Sequence, residues 1–264
     1  FILAGNNKSY ALDALRHYEE AIKDFDLALA IAPNDPMAWY NKGKALDDLK
    51  HYKEAIQAFD RALAIDPNCV LWWNSKGEAL SNLKRYEDAI QAYDRALEID
   101  PNNSGAWLNK TSALESLKRY EEAIQAYDRM LNIDFDDSLT WLYSLAWSGK
   151  GSALLELKRY GEADQAFDRA LAIDPDDLLV WVCKGNLLRD TKHHEEAILA
   201  YKRLLSILPS HFTFLWNMIG SELLNLRRYE EAIQAFDLVL GKDTTDEFAL
   251  LRKKRAVNAL KAAR

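Results

Sequence analysis

Residues Trp73 to Pro101 read WNSKGEALSNLKRYEDAIQAYDRALEIDP, and residues Trp39 to Pro67 read WYNKGKALDDLKHYKEAIQAFDRALAIDP. The two phrases are offset by 34 residues, and a fixed period of this size is the mark of a repeat architecture. The same frame places copies at about 2–35, 36–69, 70–103, 104–137, 144–177, 178–211 and 213–246. A half-copy follows over 247–264. Within a copy, Trp73, Gly77, Leu80 and Leu83 recur at helical spacing, and so do Ala89, Ile90, Tyr93, Ala96 and Leu97. Each copy therefore predicts two helices. The segment Lys84-Arg85-Tyr86-Glu87 is a short polar break between them. Asp100-Pro101-Asn102 stops the second helix, because Pro cannot continue one and biases the residue before it away from helical angles.

The small residues predict how the helices pack. Gly43, Gly77, Gly151, Gly185 and Gly220 share the eighth slot, and Ala55, Ala89, Ala123, Ala163, Ala197 and Ala232 share the twentieth. A helical Gly costs roughly 0.5–1 kcal/mol against Ala. Its recurrence at one slot therefore implies a close helix–helix approach. Trp39, Trp73, Trp107, Trp147, Trp181 and Trp216 share the fourth slot and one packing role. The pattern W-x-x-K-G-x-A-L, Y-x-x-A, F/Y-x-x-A and D-P resembles the tetratricopeptide repeat (TPR) family over nearly the whole chain. The resemblance implies an all-α fold: a right-handed superhelical solenoid of antiparallel helix pairs forming one array, with 247–264 as a capping helix.

The register breaks in four places. Copy one has Gly5 for the Trp and Ser9 for the Gly, as end copies of solenoids often depart from the rest. Copy four has Thr111 for Gly and Phe135 for Pro, and copy seven has Thr244 for Pro and an extra residue near Phe212. Six residues, 138–143, are inserted between copies four and five. Two readings of the insertion stand. Leu139 and Trp141 pack against neighbours on a lengthened first helix, or they project as a contact for a partner or a second subunit.

Composition excludes several function classes. Hydrophobic residues make up 49% and charged residues 28%, which suits a folded chain. The net charge of -7 argues against nucleic acid, whose affinity needs clustered Lys and Arg. The basic residues concentrate after Glu247, at Arg252, Lys253, Lys254, Arg255, Lys261 and Arg264, and are read as the solvated face of the last helix. The longest purely apolar stretch, Leu178 to Cys183, is far short of the ~20 residues of a membrane span. Cys69 and Cys183 are too far apart in sequence to suggest a disulfide framework or zinc site, so a reducing, cytoplasmic setting is expected.

No catalytic constellation is expected. The carboxylates repeat with the period, whereas an acid–base pair is a singular arrangement. There is no phosphate loop, nucleophile elbow or H-E-x-x-H. His17, His51 and His193 stand in the turn slot held elsewhere by Arg85, Arg119, Arg159 and Arg228, and His194 replaces the turn Tyr. The run His193–Glu196 is therefore a turn variant, and neither a metal nor any other cofactor is expected.

The resemblance implies that first helices line a concave groove through slots 2, 5, 9, 12 and 13. Here these slots include Met37, Tyr40, Lys44 and Asp47 in copy two, then Leu71, Asn74 and Glu78 in copy three. Copy four adds Leu108 and Ser112, copy six Leu179, Val182, Asn186 and Arg189, and copy seven Phe214, Asn217 and Ser221. Asn side chains can bond the backbone of an extended peptide, and acids favour basic ligand residues. The expected partner is an extended or helical protein segment with apolar anchors and some basic character. The carboxylate-clamp subtype of chaperone co-factors is not matched: Asn41 and Asn109 suit its middle position, but Tyr40, Lys44, Leu71 and Ser75 occupy slots that need other residues. A second reading is a self-assembling homo-oligomer, joined through Leu139 and Trp141, through Phe248 and Leu251, or through the worn end at Ile2 and Leu3.

Overall fold

A computed structural model of the chain describes residues 2–134 and 139–263, with side chains from residue 17 onward. Ile2 and Leu3, as side chains, and Phe135 and Ser138 lie outside the described residues. The elements are α1 (Ile2–Ile31), α2 (Pro36–Asp48), α3 (Tyr52–Ile65), α4 (Val70–Asn82), α5 (Tyr86–Ile99), α6 (Ser104–Ser116) and α7 (Tyr120–Leu131). They continue with α8 (Thr140–Glu156), α9 (Tyr160–Ile173), α10 (Leu178–Asp190), α11 (His194–Ile207), a 3-10 turn at Pro209–His211, α12 (Phe212–Asn225), α13 (Tyr229–Lys242) and α14 (Glu247–Ala263). The fold is all-α, with no strand among the described residues. Contacts divide the chain into an N-terminal unit, 1–133, and a C-terminal unit, 134–264. The division falls beside the insertion, where the 34-residue register is broken. Inside each unit a first helix packs on its second helix, which packs in turn on the next first helix.

The pair is set by a ring seated on a bare backbone. A Cβ added at Gly43 would lie 2.5 Å from Phe59, at Gly77 2.3 Å from Tyr93, at Gly151 2.6 Å from Phe167, and at Gly220 2.7 Å from Phe236. No real Cβ tolerates such contacts, so the glycines are what allow these aromatic rings to be almost fully buried. Copy four manages without the glycine. Thr111 turns its hydroxyl onto the Leu108 carbonyl (2.8 Å), and the Tyr127 hydroxyl donates to Glu115 (2.9 Å).

The turns explain the element ends. In every turn from first to second helix one residue is left-handed: Lys50, Lys84, Lys118, Lys158, Lys192 and Arg227, with φ between 57° and 66°. The amides of Lys50 and His51 donate to Asp47 and Leu46 carbonyls, each at 2.8 Å, which closes a Schellman motif. At the other turn, Asp66, Asp100 and Asp174 accept from the amide two residues on, and Asp35, Asn103 and Asp177 cap the next helix.

A second lock joins consecutive copies. The indole N–H groups of Trp39, Trp73, Trp107 and Trp181 donate to the carbonyls of Pro33, Pro67, Pro101 and Pro175 at 2.8–2.9 Å. The Pro that stops one helix thus also receives the next Trp six residues later. Lys42, Lys76 and Lys110 lie 5.1–5.4 Å from the centroids of Trp39, Trp73 and Trp107, and pair with Asp26, Asp60 and Asp94 of the preceding second helix.

Copy one departs from the expected helix pair: α1 continues without a break across residues 15–18, where other copies turn. Gly5 and Ser9 replace the two anchors that hold a first helix against its second, so folding back has less to gain than helix continuation. Copy four keeps Trp107 and still pairs. The insertion lengthens α8 to 17 residues against 13 in α2, α4, α6 and α10. It buries Leu142 and half-buries Leu139, while Trp141 stays 53% exposed.

Gly77→Ala is expected to destabilise by roughly 1–3 kcal/mol through overpacking against Tyr93. Gly161→Ala, with nothing within 4 Å of the added carbon, should instead stabilise by about 0.5 kcal/mol. Denaturant unfolding of both variants checks the contrast. Lys84→Gly should stabilise by about 0.5–1 kcal/mol, the left-handed cost of an L-residue less the backbone entropy of Gly.

Candidate partner-binding face

None of the groove residues named from the sequence is buried. The second slot of each first helix stands out: Met37 and Leu71 in the N-terminal unit, then Leu145, Leu179, Phe214 and Phe248 in the C-terminal unit, are all exposed. Gly105 is the exception. Large apolar side chains left in water at one recurring position make this edge the candidate contact surface.

In the N-terminal unit this apolar edge borders a polar, acidic face. Tyr40 is half-buried, stacked at 6.0 Å on Trp72 and tilted against Phe59 at 5.9 Å. Asn74 donates to Glu78 (3.1 Å), and Asn109 donates to Asn74 (3.2 Å) and to Glu78 (2.9 Å), which ties α4 to α6. Asn74 thus spends an oxygen and an amide hydrogen on its neighbours, so the face is organised before any partner arrives. Lys44 lies 3.7 Å from Asp47. Burial pushes the Asp47 carboxyl above its ordinary range, Lys44 opposes this, and Glu78 and Asp48 add to it. Burial also raises Glu115, against the lowering effect of the Tyr127 hydroxyl. Leu108 is half-buried and Ser112 exposed beside them.

The C-terminal unit presents a more apolar face. Leu179 (65% exposed) and Phe214 (61%) are joined by Val182 on α10 and by Leu251 on α14. Trp141 lies four residues before Leu145, so both exposed side chains share one side of α8. The insertion therefore extends the second-slot edge by one helical turn. This brings a residue read as a self-association contact beside the second slot of copy five, and the signal was the spacing of four from Leu145. The polar members are already engaged: Arg189 with Asp190 (2.9 Å), Asn186 with the Tyr201 hydroxyl (3.5 Å), Asn217 with Asp246 (3.0 Å), and Ser221 with the Asn217 carbonyl (2.8 Å). The Arg252 guanidinium lies 4.9 Å from the centroid of the Phe248 ring.

Among the described residues no three His, Cys, Asp or Glu side chains converge as a metal site, and no helix is long and apolar enough to cross a membrane. Burial raises the Cys183 thiol, the reverse of what a nucleophile needs.

Family models described as tetratricopeptide repeat match residues 7–68, 40–104, 83–147, 144–177, 180–211 and 215–241. No curated protein sequence matches the chain. Among solved structures, the C-terminal part of a TPR repeat-containing protein from Cytophaga hutchinsonii is 17% identical with a TM-score of 0.73, covering 92% of this chain and 98% of its own. YrrB, described as a TPR protein with an unusual peptide-binding site, is 20% identical with a TM-score of 0.59, covering 75% and 99%. MamA is 23% identical with a TM-score of 0.58, covering 66% and 92%. At these identities the likeness is one of fold.

Glu115→Gln should stabilise the protein at neutral pH, because it removes a charge that burial disfavours and keeps an acceptor for Tyr127. A carboxyl raised in the folded state binds its proton more tightly there, so its penalty is full above the folded pKa and is relieved as pH falls through it. Urea unfolding should therefore show the gap between variant and wild type at pH 7 closing below the ordinary glutamate range.

Proposed function

The chain belongs to the tetratricopeptide repeat family, and from that premise we propose that it is a non-catalytic scaffold whose first helices receive a segment of another protein. The observation that carries this reading is the recurrence of exposed apolar side chains at the second slot. Met37, Leu71, Leu145, Leu179 and Phe214 leave the same position unpaid by burial in copy after copy.

The two units suit different parts of a ligand. The N-terminal face combines Met37 and Leu71 with Asp47, Asp48, Glu78 and Glu115, and Lys44 is the one cation at the groove slots of its copies two to four. It favours a segment with basic residues beside apolar anchors. The C-terminal face, with Leu179, Val182 and Phe214, favours the apolar side of an amphipathic helix. The YrrB peptide site is consistent with a peptide ligand for this fold. A second reading, self-association, draws on Trp141, Phe248 and Leu251, whose exposure at 53%, 43% and 69% leaves them open to another copy.

Leu179→Asp with Phe214→Asp should leave the circular dichroism spectrum and Tm unchanged, since both side chains are exposed. The pair should weaken binding of peptides selected on an array of basic-apolar sequences by at least about tenfold, or ~1.4 kcal/mol. An array on which acidic peptides alone are retained would refute the ligand class. Light scattering over a dilution series separates the second reading: a multimer that dissociates when Trp141 or Phe248 becomes Asp assigns these residues to self-association.

A further inference from the structure

The junction between copies six and seven differs from the five other junctions that lie within one unit, and the differences are concerted. Elsewhere an Asp of one second helix faces a Lys of the next first helix: Asp26 and Lys42, Asp60 and Lys76, Asp94 and Lys110, Asp168 and Lys184, Asp237 and Lys253. Here the Asp has become Lys202 and the Lys has become Ile219, which is fully buried. The slot of Gln57, Gln91, Gln125, Gln165 and Gln234 holds Leu199, and the slot of Arg61, Arg95, Arg129, Arg169 and Arg203 holds Leu238. At the same junction His194 replaces the turn Tyr, and its Nδ1 is hydrogen-bonded to the buried Glu222 side chain at 2.7 Å, where the four preceding pairs with an intact tyrosine turn have Ala. Of the exchanged residues Leu199, Lys202 and Leu238 are exposed, whereas Ile219 and Glu222 are buried.

At this junction a cleft of about 420 Å³ lies between α11, α12 and α13. Ile198, Trp216, Ile219 and Leu223 form its floor, and Leu199 (66% exposed) and Leu238 (45%) stand as its rims. The equivalent cleft between α3 and α5 is lined instead by Asp60, Lys76 and Arg95 and crossed by the Lys76–Asp60 ion pair at 2.6 Å. One end of the apolar cleft is bridged by Arg228, which bonds Glu195 at 2.9 Å and Glu231 at 2.6 Å. Lys202 is exposed on its wall, and while the Glu231 carboxyl, held low chiefly by Arg228, also feels its charge, no salt bridge to Lys202 is formed among the described residues.

The geometry points to a second docking site, distinct from the first-helix face, that takes an amphipathic helix of a partner protein carrying leucine-sized side chains and a carboxylate. The leucines cover Leu199 and Leu238, and the carboxylate meets Lys202. The walls, α11 and α13, are each 14 residues long, so the cleft offers roughly 20 Å of helix–helix valley, the shape that an added helix fills. The rims are open to water, which suits a helix laid along them more than an enclosed small molecule. A second copy fits poorly through α14, because Arg252, Lys253, Lys254 and Arg255 beside its exposed leucines repel Lys202.

Two fluorescein-labelled helical peptides with the same leucine pattern, one with Glu and one with Lys at the polar positions, test the site by anisotropy on the full chain. Wild type should bind the Glu peptide at least about tenfold more tightly than the Lys peptide. L199Q/L238R, which installs the residues of the other junctions at exposed positions, should lose at least about tenfold in affinity. K202Q should erase the preference between the peptides, and the loss caused by L199Q/L238R should persist when it is made in the L179D/F214D background. The site is overturned if neither peptide binds, or if L179D/F214D and not L199Q/L238R abolishes binding, which places the peptide on the first-helix face. It is also overturned if wild type proves dimeric by light scattering and L199Q/L238R makes it monomeric, which gives the cleft to a second copy.

Discussion

An aromatic ring resting on a glycine backbone is the constraint on which the helix pairs depend. Phe59 over Gly43, Tyr93 over Gly77, Phe167 over Gly151 and Phe236 over Gly220 set how near the second helix comes to the first. The cost of Gly within a helix is offset by the burial of a whole ring. Thr111 shows the limit of the rule. A side chain at that slot is accommodated where Trp107 still anchors the helix and where Tyr127 and Thr111 find new hydrogen-bond partners. Where the Trp and the Gly are both missing, at Gly5 and Ser9, α1 runs on as one helix.

The connection from copy to copy depends on a different set of residues. A Pro carbonyl receives the next indole, and a Lys lies against that indole while reaching an Asp on the helix before it. Where the lock is altered, the surface changes with it. The added residue before α12 separates Trp216 from Pro209 by seven positions, and its indole nitrogen is buried without a partner. At the same junction the ion pair gives way to Lys202 and Ile219. Repetition makes these changes legible, because the intact junctions show what the altered one has exchanged.

The exposed apolar edge of the first helices occupies a position the packing does not need. The second slot points away from the ring and its glycine, so its residue neither builds the pair nor is buried by it. Leu179 and Phe214 are accordingly left exposed. The Asn74–Glu78–Asn109 network has a different effect: it stiffens the N-terminal face, so that a ligand there meets acids already held in place.

The amino-acid sequence by itself determined the period, the helix pairs from residue 36 onward and the glycine slot, because each is a local pattern repeated until chance is excluded. The family was legible for the same reason. It did not reveal the left-handed Lys in each turn, since Lys carries no preference for that conformation and is held there by the Schellman bonds around it. It placed Trp141 on a lengthened first helix without showing that Trp141 is left exposed beside Leu145. Nor did it show that Asn74, Arg189 and Asn217 are already engaged. Exposure and partnership depend on which surfaces the neighbouring helices cover, and only the tertiary structure decided that: packing distances of a few ångströms sort one residue into the core and the next into water.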